Sequence, residues 1–402
     1  MGMMFLQYFI LGAWAVTLGK YLQTPFETGG LDFAPTSVAG IYSTFAIGGL
    51  VAPLFTGLLA DRFLAAERLL SGLHILMAGL MAACGWWCET HRGPNADPAA
   101  AYWPLFGLML AYSIACMATL TLTNVIGFRN LADPKAKFGQ IRLFGTFGWI
   151  IAGFIIALWF DAVSSGPLYL AAAASLVQVG YAWTLPHTPP KGHGRPMSEV
   201  IGLPAIKLLR DPAFVVFAVV LFICNALNQF YSVFSNQYVT SLDIPFPEAV
   251  LTIGQWVEMG CMAVVPFLLH RFGFKLVMTL GLIGWVIRNG LLWWGNVPLV
   301  IAVAIPMHGL SFAFFGMIGS IFVDREAPPH LRAGAQALVM ILTNGPAVLL
   351  GNTLAGRMVT EHTVDGITNW PGVWLISAIG YVVALLIFVA FFRAPPERPL
   401  VP

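Results

Sequence analysis

The chain has 402 residues, of which 58% are hydrophobic and 9% charged, and its mean hydropathy is +0.80. Soluble domains carry roughly a quarter charged residues, so this composition excludes an ordinary water-solvated globule. The net charge of +2 comes without a basic tract, which gives no support for a nucleic-acid partner. Cys84, Cys88, Cys116, Cys224 and Cys261 all lie in apolar runs, where helix packing is expected rather than a disulfide framework or a zinc site.

A bilayer-crossing helix needs roughly 20 apolar residues. Apolar runs separated by Pro, Gly and charge predict six such helices at 4–24, 37–60, 69–88, 101–127, 140–160 and 167–186. Six more are predicted at 212–240, 248–269, 275–295, 298–323, 333–358 and 371–392. The first opens without a basic n-region or a cleavage site and is expected to be a membrane helix rather than a leader. Pro189, Pro190, Pro196 and Pro204, with Gly192 and Gly194, mark a linker at 187–211 between an N-terminal bundle (1–186) and a C-terminal bundle (212–402).

Charge placement gives an expected orientation. With the N-terminus inside, fifteen Lys and Arg residues fall on the cytoplasmic side and two, Arg92 and Arg357, outside. Lys20, Arg142 and Arg288 lie in or at the ends of spans. That bias predicts cytoplasmic termini in a bacterial inner membrane. Asp61-Arg62-Phe63 after the second helix is echoed by His270-Arg271-Phe272 after the eighth. The expected class is therefore an all-α membrane protein of the major facilitator plan, two six-helix bundles with a substrate site between them near the midplane.

Charges at mid-bilayer are costly and usually face a cavity or a partner. Glu258 is the one deep carboxylate, sharing a helical face with Gln255 and Thr252. It reads either as a site residue or as the ion-pair partner of Arg288 on the next helix. Asn225, Asn228, Gln229 and Ser232 form a stripe at i, i+3, i+4 and i+7, which suits a wet cavity or interhelical hydrogen bonding. Arg142 and Thr146 are one turn apart, and Arg142 is placed either to bind or to snorkel. His308 and Phe312 are one turn apart, and the histidine reads as packed or as titrating. Trp149, Trp256, Phe230 and Phe312 have faces that could stack on a planar ligand.

Gly57-Leu58-Leu59-Ala60-Asp61-Arg62 resembles the major facilitator loop signature. Longer stretches resemble the bacterial nucleoside:proton symporter family: LGAWAVTLG from Leu11 to Gly19, IRLFGTFG from Ile141 to Gly148, and GSIFVDREAPPHLRAGAQ from Gly319 to Gln336. Thr343-Asn344-Gly345 and GITNWPGVWLI from Gly366 to Ile376 add to this. The resemblance implies a nucleoside held by Arg142, Thr146, Gln229, Gln255, Glu258 and Phe312. It also marks departures: His308 for a tyrosine, Ser232 for an asparagine, Trp149 for a phenylalanine, and Ala313 where the family places an aspartate implicated in proton coupling.

The expected function is nucleoside import by alternating access, with protons as coupling ion and Glu258 or His308 as carriers. Uncoupled facilitation, or symport of a sugar or a modified nucleoside, is the alternative. No cofactor or metal is expected. Lipid is the surrounding partner and a monomer the expected state. No His-Glu-x-x-His motif or pair of membrane-depth carboxylates supports an enzyme.

Overall fold

A computed structural model describes residues 1–62, 64–93, 96–131, 133–190 and 202–393. Linker residues 191–201 and the side chains of the loop signature from Gly57 to Arg62 lie outside the described residues. The N-terminal half comprises α1 (Gly2–Ala15), α2 (Leu18–Gln23), α3 (Pro35–Arg62), α4 (Ala66–Thr90), α5 (Pro98–Arg129), α6 (Pro134–Trp159) and α7 (Gly166–Ala182). The C-terminal half comprises α8 (Pro212–Ser241), α9 (Pro247–Leu251), α10 (Ile253–Trp294), α11 (Val297–Leu299), α12 (Ile305–Ser311), α13 (Ile318–Glu326), α14 (Arg332–Asn344), α15 (Pro346–Glu361) and α16 (Trp370–Phe391). A two-stranded hairpin, Thr363–Val364 with Ile367–Thr368, precedes α16.

Among the described residues, ten helices are long and apolar enough to cross a membrane, against twelve expected. Pro247–Trp294 forms a single span, because helix continues directly on both sides of a kink at Gly273, whose φ is 71° and ψ 174°. Only glycine takes that geometry without strain. The second difference is α7, which ends at Ala182 rather than 186. Tight turns at Thr184 and Leu185 follow it, since Pro186 disfavours helical backbone before it.

The span predicted at 298–323 is a helix over Val297–Glu326 that contains π turns at Val300–Ala304 and Phe312–Met317. Such bulges recur at functional sites, and here they flank His308. The linker keeps both its ends docked. Glu67 accepts from His187 Nδ1 at 2.7 Å and from the Thr188 amide at 3.0 Å. Leu203–Arg210 forms a 3₁₀ helix against α14, where Gly202 meets the Gly334 carbonyl.

Lipid supplies no hydrophobic drive between helices, so close approach depends on small residues. A Cβ on Gly148 would lie 2.1 Å from the Phe5 carbonyl oxygen, and one on Gly309 would lie 2.0 Å from that of Gly254. These contacts clamp α6 to α1 and α12 to α10. Ala313 is fully buried in the C-terminal apolar cluster that holds Phe217, Trp285 and Phe315.

The halves meet along a seam closed at the end that carries residues 24–34. There Lys20 Nζ lies 3.7 Å from Glu248 Oε1. Asn236 Nδ2 donates to Glu248 Oε1 at 3.0 Å and to the Val16 carbonyl at 2.9 Å. Gly19 sits against Gln237 and the Val233 carbonyl, and Gly153 sits against Thr252. A cavity of about 290 Å³ lined by Thr36, Ser43, Thr353 and Arg357 lies on the same seam. Below it Asn352 donates to Ser43 at 3.2 Å, and Leu50 packs on Gly345.

Candidate substrate site

Four helical segments bring polar side chains to the middle of the seam. On α6, Arg142 and Thr146 are half-buried one turn apart. The Arg142 guanidinium lies 4.0 Å above the Tyr8 ring of α1, a cation–π contact that steers it off bulk lipid. Trp149 is half-buried in the N-terminal core, with its backbone against Gly12. On α10, Trp256 meets Phe147 of α6 edge-on, with centroids 5.7 Å apart. That ring contact fixes how far α6 and α10 stand apart beside the site.

Glu258, half-buried, makes no hydrogen bond or ion pair with any described residue. The nearby charge that acts on it is Arg142, from the opposite half. The alternative pairing of Glu258 with Arg288 is therefore not what the fold makes. Arg288 is fully buried and spends its donors on His308 Nδ1 (2.8 Å), Asn228 Oδ1 (3.3 and 3.4 Å) and the Tyr381 hydroxyl (3.3 Å). Its guanidinium carbon lies 4.5 Å from the Tyr231 ring centroid. Neutral acceptors and a π face have taken the place of a carboxylate.

His308 stacks on Tyr231 at 4.7 Å and 24° and leans on Phe312 at 4.8 Å. Gly254 lies against its Cδ2 edge, one turn from Glu258. Asn228 also donates to Ser232 at 3.0 Å, and Ser232 is exposed. Two expected residues spend their amides on carbonyls of their own helices. Gln229 donates to the Asn225 carbonyl at 3.1 Å and packs its stem on Gly351 of α15. Gln255, with its amide turned to satisfy it, donates to the Leu251 and Thr252 carbonyls at 2.9 and 3.2 Å.

Tyr8, Tyr231 and Tyr381, whose rings contact Arg142 and Arg288, escape the sequence reading. With aromatics at 13% of the chain, nothing in their spacing separates them from core or lipid-facing rings. Together the wall residues offer an acceptor carboxylate, guanidinium and imidazole donors, and aromatic faces for a planar polar solute.

The family model described as "Nucleoside H+ symporter" matches residues 1–397. The xanthosine permease of Escherichia coli (strain K12) is 33% identical, over 97% of this chain and 93% of the permease. The nucleoside permease NupG of the same organism is 30% identical, over 97% of this chain and 94% of its own. The crystal structure of the nucleoside transporter NupG superposes with a TM-score of 0.83 over 98% of both chains. A D-xylose-proton symporter, 14% identical with a TM-score of 0.70, shares the fold alone. The chain belongs to the nucleoside H+ symporter family and has the major facilitator fold of a multi-pass membrane transporter.

Proposed function

We propose that this protein imports nucleosides together with protons by alternating access, with the substrate held at mid-seam by Arg142, Thr146, Glu258, His308 and Phe312. Asn228, Ser232, Gln229, Gln255 and Trp149 complete the proposed wall. The observation that carries the reading is the Glu258 carboxylate, without a hydrogen-bond partner among the described residues and within reach of the Arg142 charge of the other half. A carboxylate so placed can bind ribose hydroxyls when charged. It can also take a proton when the seam opens to the acidic side, so one group couples ligand to proton. His308 is the weaker carrier, because its Nδ1 accepts from Arg288; a second ring proton there would oppose a guanidinium N–H.

The two halves, 1–186 and 212–402, are proposed to rock about this site as bundles joined by the linker 187–211. For a monomer with cytoplasmic termini, the Lys20–Glu248 closure supports an inward-facing state. Supporting it, the cross-seam contacts at Gly19, Gly153 and Gly356 all lie toward that closed end.

Uptake into proteoliposomes of purine and pyrimidine nucleosides, with and without an inward proton gradient, tests the reading. Accumulation of a nucleoside only when the gradient is imposed is the expected result. Uptake of no nucleoside under either condition would overturn it. Counterflow without uphill accumulation would point to uncoupled facilitation, the reading that the apolar burial of Ala313 favours.

A further inference from the structure

We propose that the cavity at the closed end of the seam holds the headgroup of a phospholipid, a phosphodiester that also carries a hydrogen-bond donor, and that this lipid bridges the two halves. The inference is independent of the substrate and rests on the placement of the chain in a bilayer.

The cavity of about 290 Å³ lies between α3 of one half and α15 of the other, a space of roughly ten liquid waters. Beside it the two helices touch: a Cβ on Gly356 would lie 2.8 Å from the Ala39 Cβ and 3.1 Å from the Pro35 carbonyl oxygen. Arg357 lines the cavity from one turn before the end of α15 at Glu361, where a basic side chain reaches the headgroup layer. Leu350 and Leu354, 46% and 40% exposed, continue that helix face away from the end. The cavity therefore borders a lipid-facing stripe, which favours a lipid over a soluble phosphate ester.

Arg357 is exposed and among the described residues makes no hydrogen bond or ion pair. Even Glu361, one turn on, stays beyond ion-pairing distance. A guanidinium offers only donors, in a fork that fits two phosphate oxygens. The cavity hydroxyls differ among themselves. Ser43 donates its proton to the Ala39 carbonyl at 2.9 Å, and Thr353 donates to the Leu349 carbonyl at 2.8 Å. Each has only lone pairs left to offer, and one of those on Ser43 is taken by Asn352. Thr36 keeps its hydroxyl proton uncommitted among the described residues.

The wall thus presents Arg357 and Thr36 as donors to an anion, and Ser43 and Thr353 as acceptors for an N–H or O–H. Phosphatidylethanolamine and phosphatidylglycerol meet both demands, through the phosphate and through the ammonium or glycerol hydroxyl. The trimethylammonium of phosphatidylcholine has no proton to donate. Basic pockets between membrane helices hold headgroups in this way. Because α3 and α15 belong to different halves, a headgroup bound to both favours the closed end.

Native mass spectrometry of the purified full-length protein, titrated with the three lipids in matched acyl chains, tests this. Phosphatidylethanolamine and phosphatidylglycerol are expected to bind roughly tenfold tighter than phosphatidylcholine. Arg357→Gln should weaken all three by roughly tenfold or more. Thr353→Val keeps the side-chain shape and removes the acceptor, and should bring the three within about threefold of one another. Glycerophosphoethanolamine, the headgroup without its chains, should not displace phosphatidylethanolamine at equal concentration. Equal binding of the three lipids to the unaltered protein would overturn the inference, as would an unchanged affinity in Arg357→Gln or an unchanged preference in Thr353→Val. Displacement by glycerophosphoethanolamine at equal concentration would overturn the lipid as occupant. Both altered side chains are exposed; should one variant fail to fold, the unaltered protein and the other variant decide. None of these measurements uses nucleoside, so their failure is distinct from failure of the transport reading.

Discussion

Lys20 and Glu248 stand 3.7 Å apart across the seam, one from each half, with side-chain exposures of 16% and 5%. Asn236 ties the same carboxylate to the Val16 carbonyl through its amide, so three helices meet at one acidic group. On the proposed alternating-access cycle, the pair forms when this end of the transporter is shut. It belongs to the energetics of one conformation rather than to the stability of either half.

Replacing Glu248 with Gln should therefore open this end. Removing one member of a buried pair leaves the other without its countercharge, at a cost on the order of 3 kcal/mol to the closed state. Reporter cysteines placed near Gly19 and Gly153 in the purified transporter should label faster in Glu248→Gln than in the unaltered protein. Equal labelling would show that the pair does not hold the closure.

Gly309 should tolerate no side chain. Its Cβ would meet the Gly254 carbonyl at 2.0 Å and the Glu258 amide at 2.4 Å, both backbone atoms that cannot rotate away. Gly309→Ala is expected to lower stability by roughly 1 to 3 kcal/mol, the usual cost of overpacking. It should also weaken nucleoside binding, because it pushes His308 and Glu258 apart. Thermal unfolding in detergent, read beside substrate affinity, checks both effects.

Ala313 fixes a limit on how the family pattern transfers. The residue is fully buried within the apolar cluster of Phe217, Trp285 and Phe315. An aspartate there would enter without a partner, at a cost of a few kcal/mol in either protonation state. Ala313→Asp is expected to lower the unfolding temperature and to leave the ratio of accumulated to external nucleoside no higher. A rise in that ratio would show that the site can use a carboxylate at this position.

The sequence made the helical plan readable because apolar mass and charge asymmetry are properties of composition and order. Arg142, Glu258 and His308 stood out for the same reason, as polar groups in an apolar run. The pairing of Arg288 could not be read that way. A carboxylate was the obvious partner on charge alone, and only the fold places a neutral histidine, an asparagine and two tyrosines around the guanidinium instead. Tyr8 was likewise hidden, since a ring under Arg142 looks in sequence like any other aromatic. The count of spans differed for a local reason at Gly273, where one residue decides whether two helices read as one.

The account turns on Glu258 as the group that joins proton to substrate. Glu258→Gln keeps the shape and a hydrogen-bonding end while removing the titratable carboxyl. In proteoliposomes with an imposed inward proton gradient, this variant should still exchange nucleoside across the membrane in counterflow, with affinity within about tenfold of the unaltered protein. It should not concentrate nucleoside above the external level. Uphill accumulation by Glu258→Gln under that gradient would contradict the account.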